Sequence, residues 1–93
     1  MLGSPEEIIA YVPQEAYVMI NCEDGAQEFL IEELKSIEWV KEITGTFGSY
    51  DIVTKIVTPS IETLRETISL RIRKIPEVHS TKTIICEPFH SFI

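Results

Sequence analysis

The chain writes one pattern twice: a strand-like apolar run, an amphipathic helical stretch, then a second strand-like run. Ile37-Glu38-Trp39-Val40 and Ile75-Pro76-Glu77-Val78 occupy the same helix-to-strand junction, 38 residues apart. Residues 16–23 read as the first strand, because Val18, Ile20 and Cys22 alternate with Tyr17, Met19 and Asn21. Asp24-Gly25-Ala26-Gln27 reads as a helix start, with Asp24 accepting from backbone amides and Gln27 completing a capping box. Ala26, Phe29, Leu30, Leu34 and Ile37 then form an apolar stripe on a helix ending near Ser36. Residues 40–47 alternate Ile43, Gly45 and Phe47 against Glu42, Thr44 and Thr46, a second strand. Gly48-Ser49 is the turn, with the glycine free to take a positive φ.

The second copy of the pattern starts at residues 50–58, a strand apolar on both faces through Ile52 and Ile56 on one and Val53 and Val57 on the other. Thr58-Pro59 is expected to cap the next helix, whose buried stripe is Ile61, Leu64, Ile68, Ile72 and Ile75. Pro76 stops it, and residues 78–86 form the last strand. Strand, helix, strand, strand, helix, strand describes an α+β, ferredoxin-like βαββαβ chain with an antiparallel sheet. Right-handed crossovers are expected to set the first and third strands parallel in the centre, with the fourth beside the first and running the other way. Cys22 then lies near the start of the fourth strand and Cys86 near its end, too far apart for a bridge within one chain. Both read as small buried hydrophobes.

Both helices cover one face of such a sheet. Apolar residues remain for the other face, so a face-to-face dimer is expected, closing a dimeric α/β barrel between two sheets. Ser4-Pro5-Glu6-Glu7 opens a short helical segment that Pro13 stops. Residues 1–15 are therefore read as an N-terminal arm, 16–87 as the domain and 88–93 as a tail.

A chain of 93 residues supports one modest core and no second module. Fifteen acidic residues against eight basic ones give a net charge of −7, which repels a phosphate backbone, so direct nucleic-acid binding is not expected. No apolar run approaches the roughly 18 residues a membrane span needs, and the N-terminus lacks the pattern of a secretory signal. The expected location is the cytoplasm. No catalytic constellation stands out. His79 and His90 have neither the cysteine nor the carboxylate spacing of a metal site, and there is no glycine-rich phosphate loop. No metal and no cofactor are expected.

Two segments carry more information: Gly48-Ser49-Tyr50-Asp51 and Val78-His79-Ser80-Thr81-Lys82-Thr83. Taken singly, they are a hairpin turn whose Asp51 bonds nearby backbone amides, and a polar-faced edge strand on which Lys82 opposes further pairing. Together in a βαββαβ chain, they resemble the effector-binding (RAM) domain of the Lrp/AsnC family of feast-or-famine regulators. Gly48, Tyr50 and Asp51 match the hairpin motif, Pro76 and Val78 the helix-to-strand junction, and Ser80, Thr81 and Thr83 the last strand. Family regulators begin with a helix-turn-helix domain, whereas fifteen residues precede the first strand here, as in a stand-alone version of the module.

The resemblance implies a ligand-sensing regulatory module, not an enzyme. Such modules form dimeric barrels that assemble into tetramers or octamers and bind an amino acid or related small molecule between dimers. By position, Gly48 would let the ligand approach the backbone, and Asp51 would accept from an α-ammonium group. Ser80 and Thr81 would offer hydroxyls to the α-carboxylate, with Tyr50 and Thr83 completing the matched set. A zwitterion asks for such a mixture, and its charge-assisted bonds are the stronger kind. A full-length regulator of the same family, reached by mixed assembly, is the implied partner. Two other readings compete. One is a small enzyme of the dimeric barrel type, with His79 in a cavity. The other is an ACT-type amino-acid-binding domain, which relies on a glycine just after the first strand, here Gly25.

Overall fold

The computed structural model describes residues 13–86. The helical arm expected before Pro13 and the tail at 88–93 lie outside the described residues. Along the chain run β1 (Gln14–Cys22), α1 (Gln27–Lys35), β2 (Val40–Gly45), β3 (Ile52–Thr58), α2 (Ile61–Glu66) continuing into a π-helical turn (Thr67–Ile72), and β4 (Val78–Cys86). The strands order β2-β3-β1-β4 in one sheet.

Every neighbouring pair is antiparallel, β1 with β3 included. The expectation of parallel central strands is thus corrected. A βαβ crossover returns its second strand parallel to the first but leaves a strand's width between them. The hairpin from β2 turns the chain back into that gap, so β3 runs opposite to both neighbours.

Strand alternation then sorts the side chains. Ala16, Val18 and Ile20 of β1 are fully buried beneath the helices, with Ile52 and Ile56 of β3 beside them. Leu30 and Leu34 of α1 and Leu64, Ile68 and Ile72 of the second helix close this core. Thr54 is buried among them and donates its hydroxyl to the carbonyl of Val18 at 3.2 Å, so it leaves no polar atom unpaired. Cys22 pairs in register with Val78 and Cys86 with Glu15, at opposite ends of β4, and both cysteines are free. On the uncovered face lie Tyr17, Met19, Val53 and Ile84, of which Tyr17 and Ile84 are exposed.

Several local expectations shift. Phe29 is half exposed instead of buried, because Leu30, Leu34 and Ile37 already fill the narrow contact that α1 makes. Ser60, not Thr58-Pro59, caps the second helix: its hydroxyl accepts from the Thr63 amide at 3.1 Å. Thr58 instead donates to the Ser60 carbonyl at 2.7 Å, bending the chain into that cap. The second helix opens at Thr67 into a π turn, with the Arg73 amide reaching back five residues to Ile68 at 2.9 Å. At the other crossover, Ala26 caps α1 without any side-chain acceptor, so the Asp24 capping box does not form. Gly25 at φ +81° turns the chain there, the Ala26 amide bonds the Glu23 carbonyl, and the amide of Gln27 is engaged elsewhere.

Candidate functional site

The β2–β3 connection is held closed by its own backbone. The Thr46 amide donates to the Asp51 carbonyl and the Thr46 hydroxyl to the Tyr50 carbonyl, each at 2.8 Å. Gly48 sits at the tip with φ +102°, a conformation that suits glycine, and a side chain there would meet open space. Phe47 beside it is fully exposed and outside β2, where strand alternation had suggested a partner for Ile43.

Asp51 ties this hairpin to the middle of the sheet. Its amide donates to the Ile20 carbonyl at 2.9 Å, and its carboxylate Oδ2 accepts from the Cys22 amide at 2.8 Å. The sequence suggested that Asp51 would bond nearby amides; the amide it bonds lies 29 positions away in sequence. One carboxylate oxygen thus braces the end of β1, and a carboxylate has further acceptor sites to offer.

Gln27 completes the junction, and nothing in the pattern pointed to it beyond its place at a helix start. Its side-chain amide donates to the Asp51 carbonyl at 2.7 Å and reaches the Thr46 carbonyl at 3.4 Å, fastening the first turn of α1 to the hairpin. Gly45 makes room for this, since a Cβ there would stand 2.9 Å from the Gln27 amide nitrogen. These contacts join segments 19 and 24 positions apart, which is why local spacing did not reveal them.

A cleft of about 510 Å³ opens where these pieces meet. Its walls include Cys22 and the loop after β1, Gln27 and Glu28 of α1, and Thr46, Phe47 and Asp51 of the hairpin. Glu23 and Asp24 also line it, so four carboxylates face one space with no lysine or arginine among the lining residues. The Cys22 thiol reports this setting. Burial foremost, then the charge and hydrogen bond of Asp51, then the charge of Asp24, push its pKa above the usual value.

Across β1, the hydroxyl residues of β4 sit at the same end of the sheet. Ser80 is in register with Asn21, Thr81 with Ile20 and Thr83 with Val18. Asn21 reaches toward the Ser80 hydroxyl at 3.5 Å on the uncovered face, whereas Thr81 and Thr83 alternate to the other face. Ser80, Thr81 and Thr83 therefore flank β1 opposite Asp51 and do not line the cleft within this chain. Gly48 and Tyr50 belong to the hairpin itself, Tyr50 half-buried and Gly48 exposed. The register slips between Asn21 and Cys22, and His79 falls in that irregularity, exposed. Among the described residues no group of three His, Cys, Asp or Glu side chains is placed to hold a metal. No helix of the described residues is long and apolar enough to cross a membrane.

Comparison with known proteins places this geometry in a family. The family model for the Lrp/AsnC ligand binding domain matches residues 15–86. The regulatory protein AsnC of Haemophilus influenzae is 36% identical over 58 residues, a match covering 62% of this chain and 39% of that protein. This chain thus corresponds to well under half of that regulator's length. Among solved structures, FFRP-DM1 superposes with a TM-score of 0.77 at 30% identity, covering 80% of this chain and 99% of that one. The hypothetical protein PHS023 of Pyrococcus horikoshii superposes with a TM-score of 0.76, also at 30% identity, covering 80% and 89% respectively.

Proposed function

The chain belongs to the Lrp/AsnC ligand-binding-domain family, and from that premise we propose that it is a regulatory module sensing an amino acid or a closely related small molecule. The observation that carries this reading is Asp51: the residue the family motif matches is also the one whose carboxylate stands in the cleft. An α-ammonium group is the ligand function that such a carboxylate suits, through a charge-assisted hydrogen bond. Gly48 and Tyr50 shape the hairpin beside it, and Ser80, Thr81 and Thr83 supply hydroxyls from the far side of β1. The module acts by changing its assembly or that of a full-length regulator of the same family, not by catalysis. His79 lies exposed on an edge strand and does not line the cleft at Asp51, which weighs against the small-enzyme reading.

The ACT-type reading has one observation in its favour, since Gly25 borders the cleft between helix and strand. The family match over residues 15–86 outweighs it.

The working unit in this reading is a dimer packed through the uncovered sheet face. Tyr17 and Ile84, cross-strand partners, are 38% and 52% exposed there, with the Met19–Val53 pair one step along the strands, and this apolar patch, bordered by Lys55 and Lys82, calls for a cover. Lys55 on the same face lies near Glu15 at 3.7 Å and Glu42 at 3.9 Å, so its charge is already balanced. The ligand then binds where two dimers bring the hairpin and β4 of different chains together. Native mass spectrometry of the protein as purified tests both parts. Dimers or their multiples with a retained small molecule are expected; a bare monomer at micromolar concentration overturns the architecture.

A further inference from the structure

A second groove, of about 240 Å³, lies between the end of α1 and the second helix, at the other end of the sheet from Asp51. Ile37 and Trp39 form one wall. Thr63, Thr67 and Leu70, four and three positions apart and so on one stripe of the helix, form the other. Leu70 belongs to the π turn and is 57% exposed. The hydroxyls of Thr63 and Thr67 are engaged by Ser60 and by the Thr63 carbonyl, so the middle of the groove offers an occupant mainly apolar surface. Its volume falls below the roughly 300 to 1,000 Å³ of small-molecule sites and suits one large side chain.

The chain carries such a side chain within reach. Cys86 is in register with Glu15, Glu15 with Val57, and the Val57 amide donates to the Trp39 carbonyl at 3.1 Å. Three lateral steps of about 4.8 Å each thus part the end of β4 from Trp39, roughly 14 Å in all. With the helix layer roughly 10 Å above the sheet, the groove stands about 17 Å from Cys86. At about 3.3 Å per residue, Phe89 spans roughly 10 Å from Cys86 and falls short, whereas Phe92 spans roughly 20 Å and arrives. β1 begins at Gln14, so the ladder with β4 runs out beside Cys86, and Pro88, which has no amide proton, does not prolong it.

Charge selects between the two ends of the chain. The rim of the groove carries Glu38 and Glu66 against Arg71 alone. Residues 1–12 contain Glu6 and Glu7 and no lysine or arginine, a poor match for that rim, whereas Pro88 to Ile93 contain no acid and place His90 two positions before Phe92. We propose that this groove is the docking site of the chain's own residues 87–93, which turn back from β4 and seat the Phe92 ring between Trp39 and Leu70. The strap so formed ties the edge strand to both helices, independently of what the cleft at Asp51 binds.

Trp39 is the only tryptophan in the sequence, so its fluorescence in the full chain reads the groove directly. Phe92→Ala should shift its emission to the red and raise its quenching by acrylamide, and Phe89→Ala should do so less. In a Leu70→Ala background, which opens the opposite wall at an exposed position, Phe92→Ala should have a smaller effect than in the parent. Nuclear Overhauser contacts between the Phe92 ring and the Trp39 indole are expected within one chain. Unchanged emission and quenching in Phe92→Ala overturn the proposal. Contacts to Trp39 from Ile8, Ile9 or Tyr11 overturn it in favour of the N-terminal residues, and contacts seen only between differently labelled chains overturn it in favour of a second copy.

Discussion

The two halves of the chain share a plan and differ in where their polar groups go. In the second half, the crossover from β3 into its helix looks after itself: Thr58 bonds the Ser60 carbonyl, and Ser60 caps the first turn through the Thr63 amide. Thr67 then donates back to the Thr63 carbonyl at 2.8 Å within the same helix. In the first half, the crossover from β1 into α1 has no such cap, and its polar side chains reach across the molecule. Gln27 holds the hairpin, and Asp51 of the hairpin holds the end of β1. The crossover that caps its own helix has no part in the cleft, whereas the crossover that leaves its helix start open lines it, facing Asp51 at the start of the second half. Polar groups used for local capping are not available for a site, and the difference between the halves is that trade made visible.

The shared plan is the first thing to break. Leu34→Ala in α1 and Leu64→Ala in α2 remove equivalent fully buried side chains, and each should lower unfolding free energy by about 2 to 5 kcal/mol in denaturant titration. A much smaller loss in one half would mean that the two helices are not equal partners in one core.

Asp51→Ala addresses the polar half. Ligand affinity should fall by about 1.5 to 3 kcal/mol if Asp51 holds an ammonium group, as measured by calorimetry with a ligand that the parent binds. Because Oδ2 also accepts from the Cys22 amide, the melting temperature should drop as well. Unchanged affinity with a lowered melting temperature would leave Asp51 as a brace alone.

The capping difference is sharpened by a pair of smaller changes. Ser60→Ala should destabilise by about 1 kcal/mol, the ordinary worth of a side-chain cap. Asp24→Ala, at the equivalent crossover, should stay within about 0.5 kcal/mol of the parent, because no cap is lost. Equal losses would contradict the asymmetry. On the uncovered sheet face, Met19→Glu should shift sedimentation toward monomer by placing an unpaired charge in an apolar contact.

The subtlest effect is one of pH. The folded state holds the Cys22 proton above its ordinary pKa of 9.0, so the folded chain binds more protons than the unfolded one as pH rises past that value. Stability should therefore be intact below it and decline above it, and Cys22→Val should flatten that decline in thermal melts collected across the alkaline range.

The repeated pattern made the architecture legible because apolar alternation and helical spacing are local quantities. Helical spacing alone puts Leu30 and Ile72 on the apolar stripes of their helices, and both are buried; strand alternation groups Ile20 with Val18 and Ile56 with Ile52, but only the packed helices decide that these are the buried faces. The relative direction of β1 and β3 was misread, since it depends on which gap the hairpin enters, a property of the whole sheet. At the site, Gly48 and Asp51 were visible as a motif. Gln27 and Gly45 were not, because their contact exists only after α1 is laid beside the hairpin. Asp24 and Gln27 have the spacing of a capping box, and a stronger tertiary use of the Gln27 amide displaced it.

The widened turn at Thr67–Ile72 is an α-helix with one residue inserted, absorbed without rotating Ile68 and Ile72 off the core. The surplus appears on the outside, where Ser69, Leu70 and Arg71 are exposed. A one-residue change of length in this turn is therefore taken up on the solvent side, at Ser69, Leu70 and Arg71, and leaves the core contacts of Ile68 and Ile72, and the strand that follows them, in place.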